Sequence, residues 1–461
     1  MGWPAQLMMG PRSSPLAQAH RPALRARMGG MMLVGRTVTA RAASIGAGLA
    51  MSVLVARQLG PSRAGVFFVL LATLTGAATL GRLGTDNLAL KLVATNARDS
   101  HSALRQLFLI CAVGSALTAG GVYFVAIELL SGKIATDQLE VVAWVAAVSI
   151  IPAAIAVTAS AILRALGLVA IGTIAELGST PALTTFGILG LSLTMPVELP
   201  NIIYVFAIAN TLTACWALPL ALRNLPTASP SSPNTTVGEF SRTHGSGLLS
   251  MMGTSLMFYL LTWAPVLTLG LVSSMTQAAY FNVAARVTAF ISLVPSIQTA
   301  YLTPRFAAYH YKGDTGSLNQ LVGSSTRRAL CLGGIGAALI IAFPSQVLLL
   351  FGSDYAPAHS TLQVLAVAAA LAVALGPVNG LMLTCGLERF ASKLSAIVLV
   401  STVGLMLMVA RNQGASGVAL VSGVATILYA LTASATLQRR LGIVSHVARS
   451  ANLGPRLRFR R

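Results

Sequence analysis

The sequence predicts an all-α polytopic membrane protein with about twelve transmembrane helices in two pseudo-symmetric six-helix lobes, and three observations predict it. The first is composition: 55% of the 461 residues are hydrophobic and only 9% are charged, too little polar surface to coat a soluble globule. The second is hydropathy patterning. Apolar runs near the ~20 residues needed to cross a bilayer recur along nearly the whole length, without the alternation of membrane barrels, so the spans are helices. The third is charge placement, which falls into register with those spans as described below.

Taken in order, residues 1–35 carry Arg12, Arg21, Arg25 and Arg27 with Pro4, Pro11, Pro15 and Pro22. They have no continuous apolar core of the kind a signal peptide needs and read as a disordered basic cytoplasmic arm. Met28, Met31 and Met32 are alternative starts. Six spans are expected at 37–56, 64–83, 106–128, 140–163, 168–192 and 201–222, making a lobe at 36–223. The polar stretch NLPTASPSSPNTTVGEFSRTHG then marks a cytoplasmic linker at 224–246. Six more spans are expected at 247–272, 278–303, 329–351, 361–384, 392–410 and 415–437, making a second lobe at 247–438, followed by a basic cytoplasmic tail at 439–461.

With the amino terminus inside, about 26 of the 31 Lys and Arg fall on the cytoplasmic side. Arg57, Arg63, Lys133 and Arg411 fall outside, and Arg286 is left within the membrane. Losing one span would scramble this alternation, so it supports both the span count and cytoplasmic termini. The net charge of +20 is therefore a topology signal. It is not a nucleic-acid footprint, because the basic residues sit in short tracts with no domain to form a binding face.

The halves also resemble each other. LGPSRAGVF, ending at Phe67, aligns with SSMTQAAYF, ending at Phe281, and ILRALGL around Gly167 aligns with MLTCGL around Gly386. Copies separated by six helices share an orientation, which implies a parallel repeat about an axis near the membrane normal and a cleft between the lobes.

The stretch 278–304, AAYFNVAARVTAFISLVPSIQTAYLTP, carries the strongest functional candidate. Arg286 lies ~12 Å inside it, where an arginine costs ~2.5–3.5 kcal/mol on an insertion scale. A cavity residue that holds a phosphate or diphosphate would offset that cost, as would a structural ion pair or snorkelling. Glu176, in IGTIAELGSTPAL, is the only acidic residue well inside a span, at a depth within ~6 Å of Arg286. It could pair with Arg286 across the cleft, take up a proton in a coupling cycle, form a static pair, or face the cytoplasm.

Arg82, Asp86 and Lys91 cluster at the cytoplasmic end of the second span, placed either to receive an anionic headgroup or to anchor a helix end beside acidic lipids. Arg57 lies at the outer mouth as a rim residue of the same path. Pro152, Pro181, Pro265, Pro295 and Pro377 interrupt spans, as in helices that bend.

Cys111, Cys215, Cys331 and Cys385 are widely spaced in or beside apolar spans and read as buried small residues, with no disulfide framework or zinc site. The histidines scatter through loops, no HExxH, GxSxG or Walker lysine occurs, and Gly333, Gly334 and Gly336 sit in a span with no preceding strand. Catalysis, ATP hydrolysis and any cofactor or metal are not expected.

ARQLGPSRAGVFFVLLATLTGAATLGRLGTDNLAL resembles the opening repeat of bacterial Wzx-type polysaccharide-export flippases, and YFNVAARVTAFISLVPSIQTAYLTPRFA is similar to its second-half counterpart. The broader group is the multidrug/oligosaccharidyl-lipid/polysaccharide (MOP) exporter superfamily, and the resemblance covers roughly residues 37–440. It implies a V-shaped pair of six-helix lobes that alternate between inward-open and outward-open states. It also implies a polyprenyl-diphosphate-linked oligosaccharide as the substrate, moved across the bacterial cytoplasmic (inner) membrane, with a polysaccharide polymerase and export machinery as partners. Arg286 matches the internal arginine of the second-half pattern. Two competing readings remain, an ion-coupled multidrug or organic-cation antiporter of the same superfamily and a membrane polysaccharide polymerase or ligase. Carboxylates in the cleft would favour the former, and a large external loop the latter.

Overall fold

A computed structural model of the chain describes residues 15–96, 101–225 and 237–445, and these are helical with no strand among them. The first half comprises α1 (Pro15–Gly81), α2 (Thr85–Asn96), α3 (His101–Leu130), α4 (Thr136–Val148), α5 (Ile150–Ala165), α6 (Val169–Thr173), a π-turn (Ile174–Gly178), α7 (Ser179–Ser192) and α8 (Leu199–Arg223). The second comprises α9 (Val237–Val272), α10 (Met275–Thr288), α11 (Leu293–Tyr311), α12 (Thr315–Ala342) and α13 (Pro344–Leu349), then a 3-10 turn (Ser353–Ala358), α14 (His359–Ala374), α15 (Val378–Thr384) and α16 (Glu388–Leu441).

Eight helical stretches among the described residues are long and apolar enough to cross a membrane. Two of them, Gly35–Gly81 with 47 residues and Glu388–Leu441 with 54, would extend about 70 and 80 Å if straight, over twice a ~30 Å hydrocarbon core. Each instead breaks at a glycine in the left-handed region, Gly60 (φ 68°) and Gly414 (φ 56°), a conformation that side-chain-bearing residues resist. Two further crossings are each built from two shorter helices, α6 with α7 and α10 with α11. Counted with these breaks, the described helices supply twelve candidate crossings, in the order expected from hydropathy.

Several boundaries differ from expectation. In the spans expected at 168–192 and 278–303, where Pro181 and Pro295 were read as interruptions of bending helices, the structure breaks the helix just ahead of each proline. Pro181 has no N–H to donate to Leu177, and the turn before it widens into the π-turn; Pro295 likewise follows the break between α10 and α11. Helix α9 starts at Val237 because Phe240 and Leu248 pack into the first half's core beside Leu107 and Leu163. Helix α12 starts at Thr315, well before the expected 329, because Asp314 caps it by accepting a hydrogen bond from the Ser317 N–H at 2.9 Å.

Residues 15–35, expected as part of a disordered arm, continue α1, consistent with their Ala, Leu, Arg and Met content. The remainder of that arm, the linker residues 226–236 and the tail residues 446–461 lie outside the described residues.

Helices α1–α8 pack chiefly on one another, as do α9–α16, and the junction between the two sets is made mainly by α1 and α2 against α9 and α10. Burial shows where the halves meet. One large apolar core combines Phe67, Phe68 and Leu70 of α1 and Phe206 of α8 with Leu269 of α9, Val283 of α10, Phe351 and Tyr355. These residues lie toward the end that carries Gly60, Ser274 and Gly414. Toward the opposite end lie two smaller cores, one around Leu107, Leu163 and Ala217 that also takes in Phe240 and Leu248 of α9, and one around Phe306, Leu318 and Leu437. The halves therefore share a large core at the Gly60 end and meet at the other end through α9 against α2 and the first half's core. At the joined end, a Cβ on Gly65 would lie 1.8 Å from the Met275 carbonyl oxygen, so only glycine permits that approach of α1 to α10.

Candidate functional site

The broken span around α10 and α11 changes the setting of Arg286. In place of a mid-helix position it occupies the last turn of α10, where the unpaired carbonyls of a helix C-terminus favour a cation. Its guanidinium carbon lies 5.5 Å from the centre of the Trp263 ring on α9, a cation–π arrangement that holds the group while leaving its N–H edges free. On the other side is α1, where a Cβ built on Gly48 would be 3.6 Å from Arg286 Nη1. Among the described residues, no carboxylate and no hydrogen-bond acceptor pairs with Arg286.

Arg286 and Trp263 are the second half's contribution to a cavity of about 220 Å³ that otherwise lies within the first half. Thr75 and Ala78 of α1 and Arg82 just beyond its end line it, with Ala153 and Val157 of α5, Glu176 of the π-turn, Thr180 of α7, and Phe206 and Asn210 of α8. Of the candidates read from the sequence, the fold thus brings Arg286, Arg82 and Glu176 to one cavity. Its polar wall is held by bonds between α7 and α8: the Thr180 hydroxyl donates to Asn210 Oδ1 at 3.1 Å, and the Trp216 N–H donates to Ser179 Oγ at 3.1 Å.

Glu176 does not pair with Arg286. Its Oε2 lies 2.6 Å from Nη1 of Arg164, at the end of α5. The reason is local: α5 and α6 form a tight helical hairpin around Gly167, and the π-turn rotates Glu176 toward the end of its hairpin partner. Arg82 lies 3.9 Å from Asp86 and donates from Nη2 to the Thr79 hydroxyl at 3.2 Å, while its Nε is buried without a partner. Asp86 and Lys91 do not line the cavity. Asp86 serves Arg82, and Lys91 is exposed on α2.

Arg57, expected as a rim residue of the substrate path, lies at the joined end. It donates from Nε to the Leu350 carbonyl at 2.7 Å and from Nη2 to the Leu349 carbonyl at 3.3 Å. The last carbonyls at the end of α13 have lone pairs to offer a guanidinium, that of Leu349 also accepting from the Gly352 N–H at 3.2 Å, so Arg57 ties one half to the other.

A larger groove of about 1010 Å³ between α4, α5 and α8 has no charged lining residue and lies on the outer face of the bundle beside the exposed Trp144 and Ile208. It is a lipid-facing surface. The cysteines are all free; Cys111 and Cys385 are buried as expected, whereas Cys215 and Cys331 are exposed, which in a membrane-spanning helix requires no polar partner.

No protein-family model matches the sequence, and no curated protein sequence matches it. Solved structures do. A multidrug resistance MATE family transporter of the MOP superfamily in its inward-facing conformation superposes with a TM-score of 0.62 at 16% identity, covering 91% of this chain and all of that one. The fold is that of the MATE transporters. An outward-facing MATE structure gives a TM-score of 0.59 at 16% identity, with 89% and 95% of the two chains covered. A MOP superfamily transporter from Pyrococcus furiosus, for which reverse polarity of the binding pocket suggests a different function, gives 0.58 at 16% identity over the same shares.

On this MATE-type fold, sequence reasoning overlooked Trp263, Asn210, Thr180 and the role of Arg164. Arg164 had a signal: it lies just before Gly167, and folding the hairpin about that glycine sets the end of α5 beside the start of the next span. Trp263 had none beyond being a large aromatic residue in a span.

Proposed function

We propose that the chain is an alternating-access transporter that moves polyprenyl-diphosphate-linked oligosaccharide across the bacterial cytoplasmic membrane for cell-surface polysaccharide synthesis. The observation that carries this reading is Arg286, a guanidinium without a counter-ion that lines a cavity at the junction of the two halves. An uncompensated cation within a membrane favours an anionic ligand, and a guanidinium matches phosphate oxygens in a bidentate fork. A cavity of about 220 Å³ suits a diphosphate group better than an oligosaccharide. The sugars would sit toward the end of the two smaller cores, and the polyprenyl chain would stay in lipid.

The positive-inside bias supports placing that end in the cytoplasm, with lobes at 36–223 and 247–438 as the moving bodies. With no nucleotide-binding motif in the sequence, an ion gradient, the membrane potential or consumption of the substrate outside would drive transport.

The MATE neighbours and the carboxylate of Glu176 favour a second reading, an ion-coupled antiporter of drugs or organic cations. Reconstitution in liposomes with a fluorescent polyprenyl-diphosphate oligosaccharide separates the two. Leaflet transfer by the wild-type protein, abolished in Arg286→Ala, supports the flippase; absence of transfer together with proton- or sodium-driven efflux of organic cations supports the antiporter.

A further inference from the structure

We propose that Arg164 is a positioning residue that holds the Glu176 carboxylate away from Arg286, so that the cavity keeps one free cation for a phosphate-bearing ligand. The inference rests on the anion-carrier reading above. Three charged residues line the cavity: Arg82, Glu176 and Arg286. Arg82 has Asp86 nearby and Glu176 has Arg164, which leaves Arg286 as the uncompensated charge. Glu176 is the only acidic residue in the lining. Released from Arg164, its carboxylate would share the cavity with Arg286 as the lining cation that has no partner among the described residues, and the site would neutralise itself.

Local structure supports the arrangement. Arg164 lies in the last turn of α5, where the carbonyl end favours a cation. Gly172 gives its stem room: a Cβ there would be 2.7 Å from Arg164 Cγ. The Nε of Arg164 is buried without a partner, so among the described residues the contact with Glu176 is what holds the guanidinium. Glu176 belongs to the π-turn, and from there its Oε2 meets that group at 2.6 Å. Both members of the pair belong to the first half, whereas Arg286 belongs to the second. The Arg164–Glu176 pair is indifferent to rocking of the halves, but a Glu176–Arg286 pair would bridge them and oppose it.

The test uses the purified full chain and inorganic diphosphate as the probe, with binding read by isothermal titration calorimetry and folding by thermal melting. Arg164→Ala is expected to weaken diphosphate binding at least tenfold, Arg164→Lys to keep most of it, and Glu176→Gln in the Arg164→Ala background to restore wild-type affinity. In an Arg286→Ala background, Arg164→Ala is expected to have no further effect. Wild-type affinity in folded Arg164→Ala, or a loss that persists after Glu176→Gln, overturns the proposal while leaving the anion site intact. Failure of the wild-type protein to bind diphosphate overturns both the anion site and this inference. If Arg164→Ala does not fold, the uncharged pair Arg164→Met/Glu176→Gln decides, wild-type affinity supporting the proposal and its loss refuting it.

Discussion

Replacing Arg57 with alanine should loosen the joined end of the protein. Arg57 on α1 spans the two halves through charge-assisted bonds of 2.7 and 3.3 Å to the Leu350 and Leu349 carbonyls at the end of α13. A hydrogen bond to a charged group contributes about 1.5–3 kcal/mol, but Arg57 is exposed and the longer bond is weak. After solvent screening, about 1–2 kcal/mol for the two together is reasonable, which corresponds to about a 5- to 30-fold shift between closed and open forms. The assay is a distance distribution between spin labels at Gln58→Cys and Ser353→Cys, both exposed positions on opposite halves, in a background with the four native cysteines replaced. The wild-type latch should give a dominant short distance, and Arg57→Ala a population shifted to longer ones, with Arg57→Lys between them. Identical distributions for the wild type and Arg57→Ala would refute the view that Arg57 holds this end closed.

Other outcomes follow from the same packing. Arg286→Ala should abolish export while leaving membrane insertion intact, and Arg286→Lys should retain part of it, because lysine keeps the charge but loses the bidentate fork; export assays with membrane-fraction blots check both. Trp263→Ala should reduce transport more than Trp263→Phe, since cation–π stacking contributes about 0.5–2 kcal/mol, as read from initial rates in proteoliposomes. Gly65→Ala should disfavour the closed end, because its methyl carbon would meet the Met275 carbonyl at 1.8 Å; an overpacking cost of about 1–3 kcal/mol should appear as a lower melting temperature and a longer spin-label distance. Gly414→Ala combines a left-handed φ of 56° with a 2.6 Å approach to Gln277 Oε1, and should lower thermal stability. It should do so even though Gln277 still accepts the Ala415 N–H, which it now does at 2.7 Å.

Hydropathy and positive charge made the crossings legible, because the bilayer imposes a length and a polarity that a chain must satisfy residue by residue. What they could not show were interruptions within crossings. An α-helical run and the same run split before Pro181 or Pro295 have the same mean hydropathy, and whether a proline kinks, widens or ends its helix depends on the packing around it. The site was legible to the same degree. Arg286 stood out because a lone cation in apolar sequence is costly wherever it lies, and Glu176 stood out for the same reason. Their partners did not, since pairing depends on rotation about helix axes. The π-turn turned Glu176 toward Arg164, and Trp263 reached Arg286 only once α9 had been laid against α10. Arg57 was read as a rim residue, but its partners are backbone carbonyls nearly 300 residues away, and a carbonyl leaves no mark in the sequence.

The central claim is that Arg286 is free to meet a phosphate at the junction of the halves. An experimental structure of the protein with a bound polyprenyl-diphosphate oligosaccharide tests it most directly. The account predicts diphosphate oxygens within hydrogen-bond distance of the Arg286 guanidinium, with Glu176 still on Arg164. A ligand bound elsewhere, with Arg286 paired to a carboxylate or turned toward acyl chains, would contradict it.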